Sequence, residues 1–271
     1  MLRRVKNDQD AYGAELIAAY KGSAVFEIIE RDDGWVTAST WPARYFASYR
    51  QWSKRERHAV RLANGRILDV GCGAGRFALC LERKGHDVTA IDNSPGAVKV
   101  SKWRGVKKVL LMPLAEVRRF TPNSFDTVIM MGNNFGLFGG FNQAKRLLKD
   151  FARIVSDDGQ IIAETVDPYL TKEPSHKAYH RLNRSRGRMS GQLRIRVRHG
   201  RTIGKWFDYL LVSRNELRQI VAGSGWRVAE IISDEGPGYT VVLQKSHVVS
   251  LPVRAGKSES PQANGLVVAY E

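Results

Sequence analysis

Three glycines at alternating positions follow an apolar run in the segment ILDVGCGAGRFALCL, residues 67–81. Gly71, Gly73 and Gly75 stand where a strand would pass into a helix, and glycine there lets a ligand approach the backbone closely. The spacing is G-x-G-x-G, whereas the dinucleotide fingerprint is G-x-G-x-x-G and position 76 is Arg. Binding of a pyrophosphate is therefore the weaker interpretation.

Two aspartates accompany the glycines. Asp92 ends the next apolar run, VTAID, where a carboxylate can accept hydrogen bonds from both hydroxyls of a ribose. Asp69 lies two residues before Gly71 and adds a second carboxylate at the same place, which suits a cationic ligand better than a diphosphate. The pattern predicts a nucleoside that carries positive charge.

The motifs resemble those of the class I methyltransferases that use S-adenosyl-L-methionine. The resemblance covers roughly residues 60 to 245 in order, so it is more specific than a lone glycine loop. The matching segments are ILDVGCGAGRFALCL, VTAIDNSPGAV, SFDTVIMMGN and RIVSDDGQIIAE. The resemblance implies a methyltransferase with S-adenosyl-L-methionine as its cofactor.

The resemblance also implies a set of cofactor-binding residues. Those around the methionine moiety and the sulfonium are Asp69, Gly71, Cys72, Gly73 and Gly75. Asp92 is implied to hold the ribose, and Asn93 and Ser94 to lie beside the adenosine. The position of the family's frequent acidic residue toward the adenine amine falls on Leu114, which leaves the backbone of Ala115 as the candidate for that contact, with the neighbouring Glu116.

The segment MGNNFGLFGG follows the fourth strand, where the acceptors of the family meet the methyl group. Gly132 is predicted to contact the cofactor there. Asn133 and Asn134 are candidates for orienting an acceptor or the amino acid end of the cofactor, or simply tolerate the torsions of a turn. Methyl transfer depends mainly on positioning, so no universal catalytic residue is expected.

Further candidate catalytic residues follow the run GQIIAETV, which is the predicted fifth strand of the parallel sheet. Asp167 and Tyr169 end that strand at the same edge, although Asp167 before Pro is equally typical of a turn or cap. His180 is a candidate general base. His176 and His180 lie four residues apart but have no carboxylate partner at ligand spacing, so we predict no metal site.

The two cysteines, Cys72 and Cys80, both belong to the first motif. They are too few and too close for a disulfide framework. Methylation at a pyrimidine carbon requires a cysteine nucleophile, and neither cysteine is free for that role.

Alternating strands and helices must position these residues. Apolar runs alternate with amphipathic stretches from residue 66 onward, which is typical of a doubly wound α/β fold with a mostly parallel sheet. The last two strands, 226–233 and 239–245, are joined only by a short turn and predict an antiparallel terminal hairpin. With the resemblance, this predicts a Rossmann-like methyltransferase fold with seven strands.

Two segments fall outside this alternation. Residues 1–62 are expected to form an N-terminal cap with a helix, a hairpin at Asp33 and Gly34, and one aromatic-rich helix over 41–62. The methyltransferase domain is expected over 63–245, and its insertion at 167–212 predicts an antiparallel β lid over the acceptor. Residues 246–271 are expected to form a poorly ordered tail.

The formal net charge of +16 is concentrated in the insertion, where Lys172–Lys205 holds eleven Lys and Arg against one acid, Glu173. Such a segment suits a small acidic acceptor or an RNA backbone. The alternation of Arg194, Arg196 and Arg198 with apolar residues equally fits a solvated strand face.

These features favour an enzyme that methylates a small molecule. The alternatives are an RNA-modifying methyltransferase, which the basic segment favours, and a non-catalytic nucleoside-binding module, which the retained glycines and aspartates disfavour. The chain has no apolar stretch of ~20 residues and no secretory h-region, so we expect a cytoplasmic protein with no membrane partner.

Overall fold

The computed structural model describes residues 4–246, so the expected tail lies outside the described residues apart from Ser246. The strands are β1 (Glu27–Arg31), β2 (Val36–Ser39), β3 (Arg66–Val70), β4 (Asp87–Asp92), β5 (Val109–Leu111), β6 (Phe125–Met130), β7 (Val155–Val166), β8 (Gln192–His199), β9 (Thr202–Ile203), β10 (Phe207–Leu210), β11 (Trp226–Ser233) and β12 (Gly238–Lys245). The α-helices are α1 (Ala11–Tyr20), α2 (Lys54–Leu62), α3 (Arg76–Arg83), α4 (Pro95–Trp103), α5 (Phe141–Ile154), α6 (Pro174–Ser185) and α7 (Arg214–Val221). Within the described residues, none of these helices has both the length and the apolar character that spanning a bilayer requires.

The main sheet has seven strands in the order β11-β12-β7-β6-β3-β4-β5. Strands β3 to β7 pair in parallel, whereas β12 runs antiparallel to both β7 and β11. The predicted doubly wound fold and its terminal hairpin are therefore confirmed. The carboxyl ends of β3, β4 and β6 meet at one edge, where the loops carrying the sequence motifs lie together.

Two apolar cores cover the faces of this sheet. Alternate residues of each strand point to opposite faces, so that Leu68 belongs to one core and Ile67 to the other. The first core packs against α5 and α7, and the second against α2, α3 and α4. Burial of both faces explains the nearly continuous apolar runs in the parallel strands.

A second, antiparallel sheet combines the N-terminal hairpin with the insertion. Its order is β10-β8-β1-β2, with β9 paired to β8. Ile29 pairs with Val197, and Tyr209 pairs with Leu193, so these residues and Glu27 point to one face of this sheet. The expected cap and lid are thus two parts of one sheet, and the insertion also contains α6.

The opposite face of the second sheet carries the arginines of the insertion. Arg196 and Arg198 both form ion pairs with Glu30, and Arg194 pairs with Asp208. Arg188 also pairs with Asp208. This arrangement matches the interpretation of a solvated strand face whose charges are partly neutralised by local acids.

Helix α1 packs against the start of α4. A Cβ added at Gly96 would lie 2.5 Å from the Cα of Gly13, so the two helices approach backbone to backbone. The buried carboxylate of Asp10 accepts hydrogen bonds from Gly13 N (2.9 Å), Ser94 Oγ (2.8 Å) and Gly96 N (2.8 Å). Asp10 therefore ties the starts of both helices together.

The prediction of one aromatic helix over 41–62 is wrong. The chain instead forms short 3-10 turns at Trp41–Phe46 and Tyr49–Gln51, followed by α2. The cause is a capping box: Ser53 Oγ accepts from Glu56 N (3.0 Å), and the Glu56 carboxylate accepts from Ser53 N (2.8 Å). This S-x-x-E pattern begins a new helix at residue 54.

Candidate cofactor and acceptor site

The glycine loop after β3 adopts backbone torsions that favour glycine. Gly71, Gly73 and Gly75 have φ values of +70°, +55° and +74°. The amides of Gly71 and Cys72 donate to the carbonyl of Ile91 at 2.9 and 3.1 Å, which fixes the loop against β4. The loop is therefore shaped before any ligand binds.

Asp92 joins the loops that follow β3 and β4. Its buried carboxylate accepts from Gly73 N and from Ser94 N, each at 2.9 Å. Burial raises the pKa of Asp92 to about 6, although these two backbone donors oppose the increase. The carboxylate thereby supports both loops, and its contact with a ribose stays a prediction.

Asp69 presents an unpartnered carboxylate oxygen. The residue is only 2% exposed, and its Oδ2 has no hydrogen-bond partner among residues 4–246. Burial, and next the charge of Asp92, raises the pKa of Asp69 to about 7. A buried acid in this state gains most from a cationic ligand, because a nearby positive charge offsets its desolvation.

The remaining cofactor candidates are Cys72, Asn93, Ser94, Ala115 and Glu116. The hydroxyl of Ser94 caps α4 and donates to Asp10, so it is already used within the protein. Burial raises the pKa of the Cys72 thiol well above its usual value, which leaves it protonated. Asn93 and Ala115 are half-buried, and Glu116 forms an ion pair with Arg119.

The loop after β6 is held by an ion pair. Gly132 N donates to Glu164 Oε2 at 2.7 Å, and Arg55 donates to the other oxygen of Glu164 at 2.7 Å. A Cβ added at Gly132 would meet no atom within 4 Å, so the backbone there borders open space. This is the surface that a ligand could approach.

The two asparagines of this loop have different roles. Asn134 donates its amide to the carbonyls of Val70 (3.0 Å) and Gly71 (2.8 Å), which links the loops after β3 and β6. Asn133 has φ +64°, and its carbonyl accepts from the Tyr209 hydroxyl at 2.6 Å. The structure thus uses Asn134 as a bridge and Asn133 at a turn.

The candidates after β7 have their contacts elsewhere. Asp167 accepts from Tyr169 N (3.0 Å) and so caps a short turn. The Tyr169 hydroxyl donates to Glu216 at the start of α7, and the buried His180 lies beside the Tyr169 ring. Together with α6 and α7 these residues form a cluster of their own.

Four residues at the site were missed by the sequence analysis. Tyr12 covers the glycine loop, since a Cβ added at Gly73 would lie 2.7 Å from its hydroxyl oxygen. The Tyr12 and Tyr45 rings meet edge to face at 5.5 Å, and the Tyr45 hydroxyl donates to Glu27 at 2.8 Å. The fourth is Glu15, which is completely buried and has no hydrogen-bond partner for either carboxylate oxygen.

Burial shifts both glutamates toward the protonated form. Burial, and next the charge of Glu27, raises the pKa of Glu15 to about 8. Burial also raises the pKa of Glu27, although the hydrogen bond from Tyr45 opposes this. One signal was visible in the sequence, because Glu15 stands within the apolar stretch AELIAA of α1. Glu27 had no such signal.

Within residues 4–246, no group of three or more His, Cys, Asp and Glu is placed to hold a metal ion. His176 instead contacts Thr171 at 3.0 Å and packs edge to face on Trp35. With the contact of His180 on the Tyr169 ring, these contacts make both histidines part of the packing around α6.

Residues 68–163 match the family model of the methyltransferase domain. The chain is 30% identical over 183 residues to a demethylmenaquinone methyltransferase of Renibacterium salmoninarum, covering 65% of this chain and 73% of that protein. It is 36% identical over 77 residues to a ubiquinone biosynthesis O-methyltransferase of Xanthomonas euvesicatoria pv. vesicatoria, 27% of this chain. That match spans only 32% of the relative.

A solved structure resembles almost the whole chain. It is a SAM-dependent methyltransferase from Bacteroides fragilis in complex with S-adenosyl-L-homocysteine, with a TM-score of 0.76 and 27% sequence identity. The similarity covers 89% of this chain and 97% of that chain, so it includes most of the residues outside the matched domain.

Proposed function

This chain belongs to the class I S-adenosylmethionine-dependent methyltransferases, and we propose that it methylates a small molecule held between its two sheets. The observation that carries the proposal is the closure over the loops at the sheet edge. Tyr209 of the second sheet contacts Asn133, and Tyr12 of α1 covers Gly73. Loops covered in this way suit a small acceptor better than a polymer.

The residues at the sheet edge fit the cofactor. The orphaned oxygen of Asp69 suits a cationic group, and the open backbone at Gly132 leaves room for a ligand. Asp92 is proposed to hold the ribose, with Gly71 and Gly73 beside the methionine moiety. When bound, S-adenosyl-L-methionine supplies an electrophilic methyl group on a sulfonium.

The protein contributes positioning and exclusion of water. Asn134 links the loops after β3 and β6. The Arg55–Glu164 ion pair holds the loop after β6 through the amide of Gly132. Holding the nucleophile in line with the methyl group in a closed site supplies much of the rate in such transfers.

The charge distribution refines the expected acceptor. The insertion's arginines led to the expectation of an acidic acceptor, but Arg196 and Arg198 pair with Glu30 on the far face of the second sheet. The inner side of this sheet instead carries Glu15 and Glu27, which offer a carboxylate no positive charge. We therefore propose a neutral or basic acceptor. The relatives named for ubiquinone and menaquinone biosynthesis support a small molecule.

A binding experiment and a label screen test this function. Calorimetry should detect binding of S-adenosyl-L-methionine and S-adenosyl-L-homocysteine but not of NAD. Methyl-labelled cofactor should transfer its label to a metabolite extract and not to total RNA. Label in RNA alone would favour the RNA-modifying alternative, and binding of NAD without either S-adenosyl ligand would overturn the assignment.

An Asp92→Asn variant tests the ribose contact. Asn keeps an acceptor for only one of the amides of Gly73 and Ser94 and removes the charge, so affinity for S-adenosyl-L-homocysteine should fall by about 1–3 kcal/mol. Asp87→Asn is the matched control, because Asp87 is exposed at the opposite end of the same strand. Equal affinity in the two folded variants would mean that the ribose binds elsewhere.

A further inference from the structure

Glu27 lies on the same face of the second sheet as Tyr209, which contacts the loop after β6. On one side, Tyr45 donates to its carboxylate, and Tyr45 and Tyr12 stand against Gly73. On the other side, the charge of Glu27 acts on Tyr209, whose hydroxyl binds the carbonyl of Asn133. A buried carboxylate is thereby placed where the glycine loop and the loop after β6 face the second sheet.

Resting on the proposed function, we propose that Glu27 is the catalytic base that receives the proton of the acceptor's nucleophile. The acceptor is then a hydroxyl or amine compound, and carboxylate acceptors are excluded. In this step the nucleophile's lone pair forms the bond to the methyl carbon, and the carbon–sulfur bond breaks with its electron pair going to sulfur. The nucleophile's proton passes to the carboxylate of Glu27.

The charges in this step favour a dry site. A sulfonium and a carboxylate, one positive and one negative, are both neutral after the transfer. Because such a step removes charge instead of creating it, exclusion of water does not penalise its products. The burial of Glu27, which is 8% exposed, therefore suits a base for this reaction.

The Glu27 carboxylate accepts a side-chain hydrogen bond from Tyr45, and further groups face it from three elements. Tyr12 and Glu15 approach from α1, Tyr45 from the turn at 41–46, and Tyr209 from β10. Burial raises the pKa of each of these tyrosines, so they remain neutral donors. Arg31, on the same face of β1, is engaged by Asp33. Apart from Arg31, none of the groups named here is a cation that could offset the charge of Glu27.

Cofactor binding provides a test that does not depend on knowing the acceptor. S-adenosyl-L-methionine carries the sulfonium, whereas S-adenosyl-L-homocysteine does not, so the ratio of their affinities reports a charge beside the sulfur. In the wild-type protein this ratio should shift toward the sulfonium ligand by about fivefold or more as Glu27 ionises with increasing pH. In Glu27→Gln, which keeps an acceptor for Tyr45, that part of the pH dependence should disappear.

Glu30→Gln is the matched control, because Glu30 lies on the same strand but points to the opposite face and pairs with Arg196. It should retain the wild-type ratio at every pH. The proposal is overturned if the Glu27→Gln and Glu30→Gln variants give the same pH dependence. If neither S-adenosyl ligand binds to the wild-type protein, the proposed function itself fails.

Transfer of label to a metabolite extract tests the proton step. Loss of a general base should lower the rate in Glu27→Gln by about 100-fold or more at neutral pH, with the residual rate increasing with pH. The Glu30→Gln rate should stay within about twofold of wild type, as for surface substitutions. A wild-type rate in Glu27→Gln, or labelled products that are methyl esters of carboxylic acids, would overturn the proposal.

Discussion

At the scale of single residues, the site is characterised by acids that are buried without cations. Within the described part of the chain, Glu15 has no hydrogen-bond partner, and Asp69 keeps an orphaned oxygen. Such groups cost stability in the free protein unless they are protonated. Their persistence at the sheet edge is consistent with a ligand that supplies positive charge, as a sulfonium does.

Glu15 predicts a specific dependence of stability on pH. Its pKa is raised from 4.5 to about 8 in the folded protein, so the folded state holds a proton that the unfolded state has lost between these values. The stability contributed by Glu15 is thus complete below pH 4.5 and decreases as pH rises toward 8. Glu15→Gln should be more stable than wild type at pH 8, by up to about 5 kcal/mol, and equal to it at pH 4.

Urea unfolding of the two proteins across this pH range measures the difference. Glu235→Gln, in the exposed turn between β11 and β12, is the control and should not change the pH dependence. A Glu15→Gln effect that stays constant with pH would show that Glu15 titrates normally in the folded protein.

The sequence identified the residues that lie on local motifs but not those that come together through the fold. Asp69, Asp92 and the glycines stand within one strand–loop–helix pattern and its successor, and the structure brings them together. Glu27 is carried by β1, which pairs with β8 more than 160 residues later in the chain, and Tyr45 is held by contacts with Tyr12 and Arg104. No period or spacing along the sequence encodes that pairing.

At the scale of elements, α1 is the part of the fold that closes the glycine loop. It brings Tyr12 to Gly73 and Glu15 to Glu27, and its position depends on the close approach of Gly13 to Gly96. The sequence predicted α1 itself, since its apolar stretch is evident. It did not predict the packing, because Asp10 joins α1 to α4 through contacts more than 80 residues apart.

Gly96→Ala tests whether this packing positions the site. The added Cβ would meet the backbone of Gly13 at 2.5 to 2.7 Å, and backbone cannot move aside as a flexible side chain would. We expect the free energy of unfolding to decrease by about 1–3 kcal/mol, as in other overpacked contacts. Affinity for S-adenosyl-L-homocysteine should also decrease, with faster hydrogen exchange in α1.

Lys102→Ala is the matched control, because Lys102 is exposed on the same helix. It should leave unfolding, affinity and exchange near wild-type values. If Gly96→Ala binds the cofactor product normally while α1 exchanges faster, α1 does not contribute to the cofactor site.

At the scale of the whole molecule, the net charge of +16 favours anionic partners, whereas the acids at the proposed site favour a cationic ligand. A basic surface attracts nucleic acids without specificity, whereas the site has an acidic interior. The two are separated by the second sheet, whose outer face carries arginines paired with acids and whose inner face carries Glu27 and Tyr209. The positive charge therefore affects which molecules the surface attracts more than it affects methyl transfer at the site.

Neutralising the outer face tests this separation. Arg194, Arg196 and Arg198 replaced together by Gln should leave label transfer to a metabolite extract within about twofold of wild type, because these side chains point away from the site. The same number of charges removed from α5, at Lys145, Arg146 and Lys149, is the matched control. Both variants should weaken non-specific RNA binding in proportion to charge. A different outcome would identify this face as an RNA-binding surface that serves catalysis. The wild-type protein would label RNA, only the variant of Arg194, Arg196 and Arg198 would lose transfer, and the salt slope of its RNA binding would be lower by about 3.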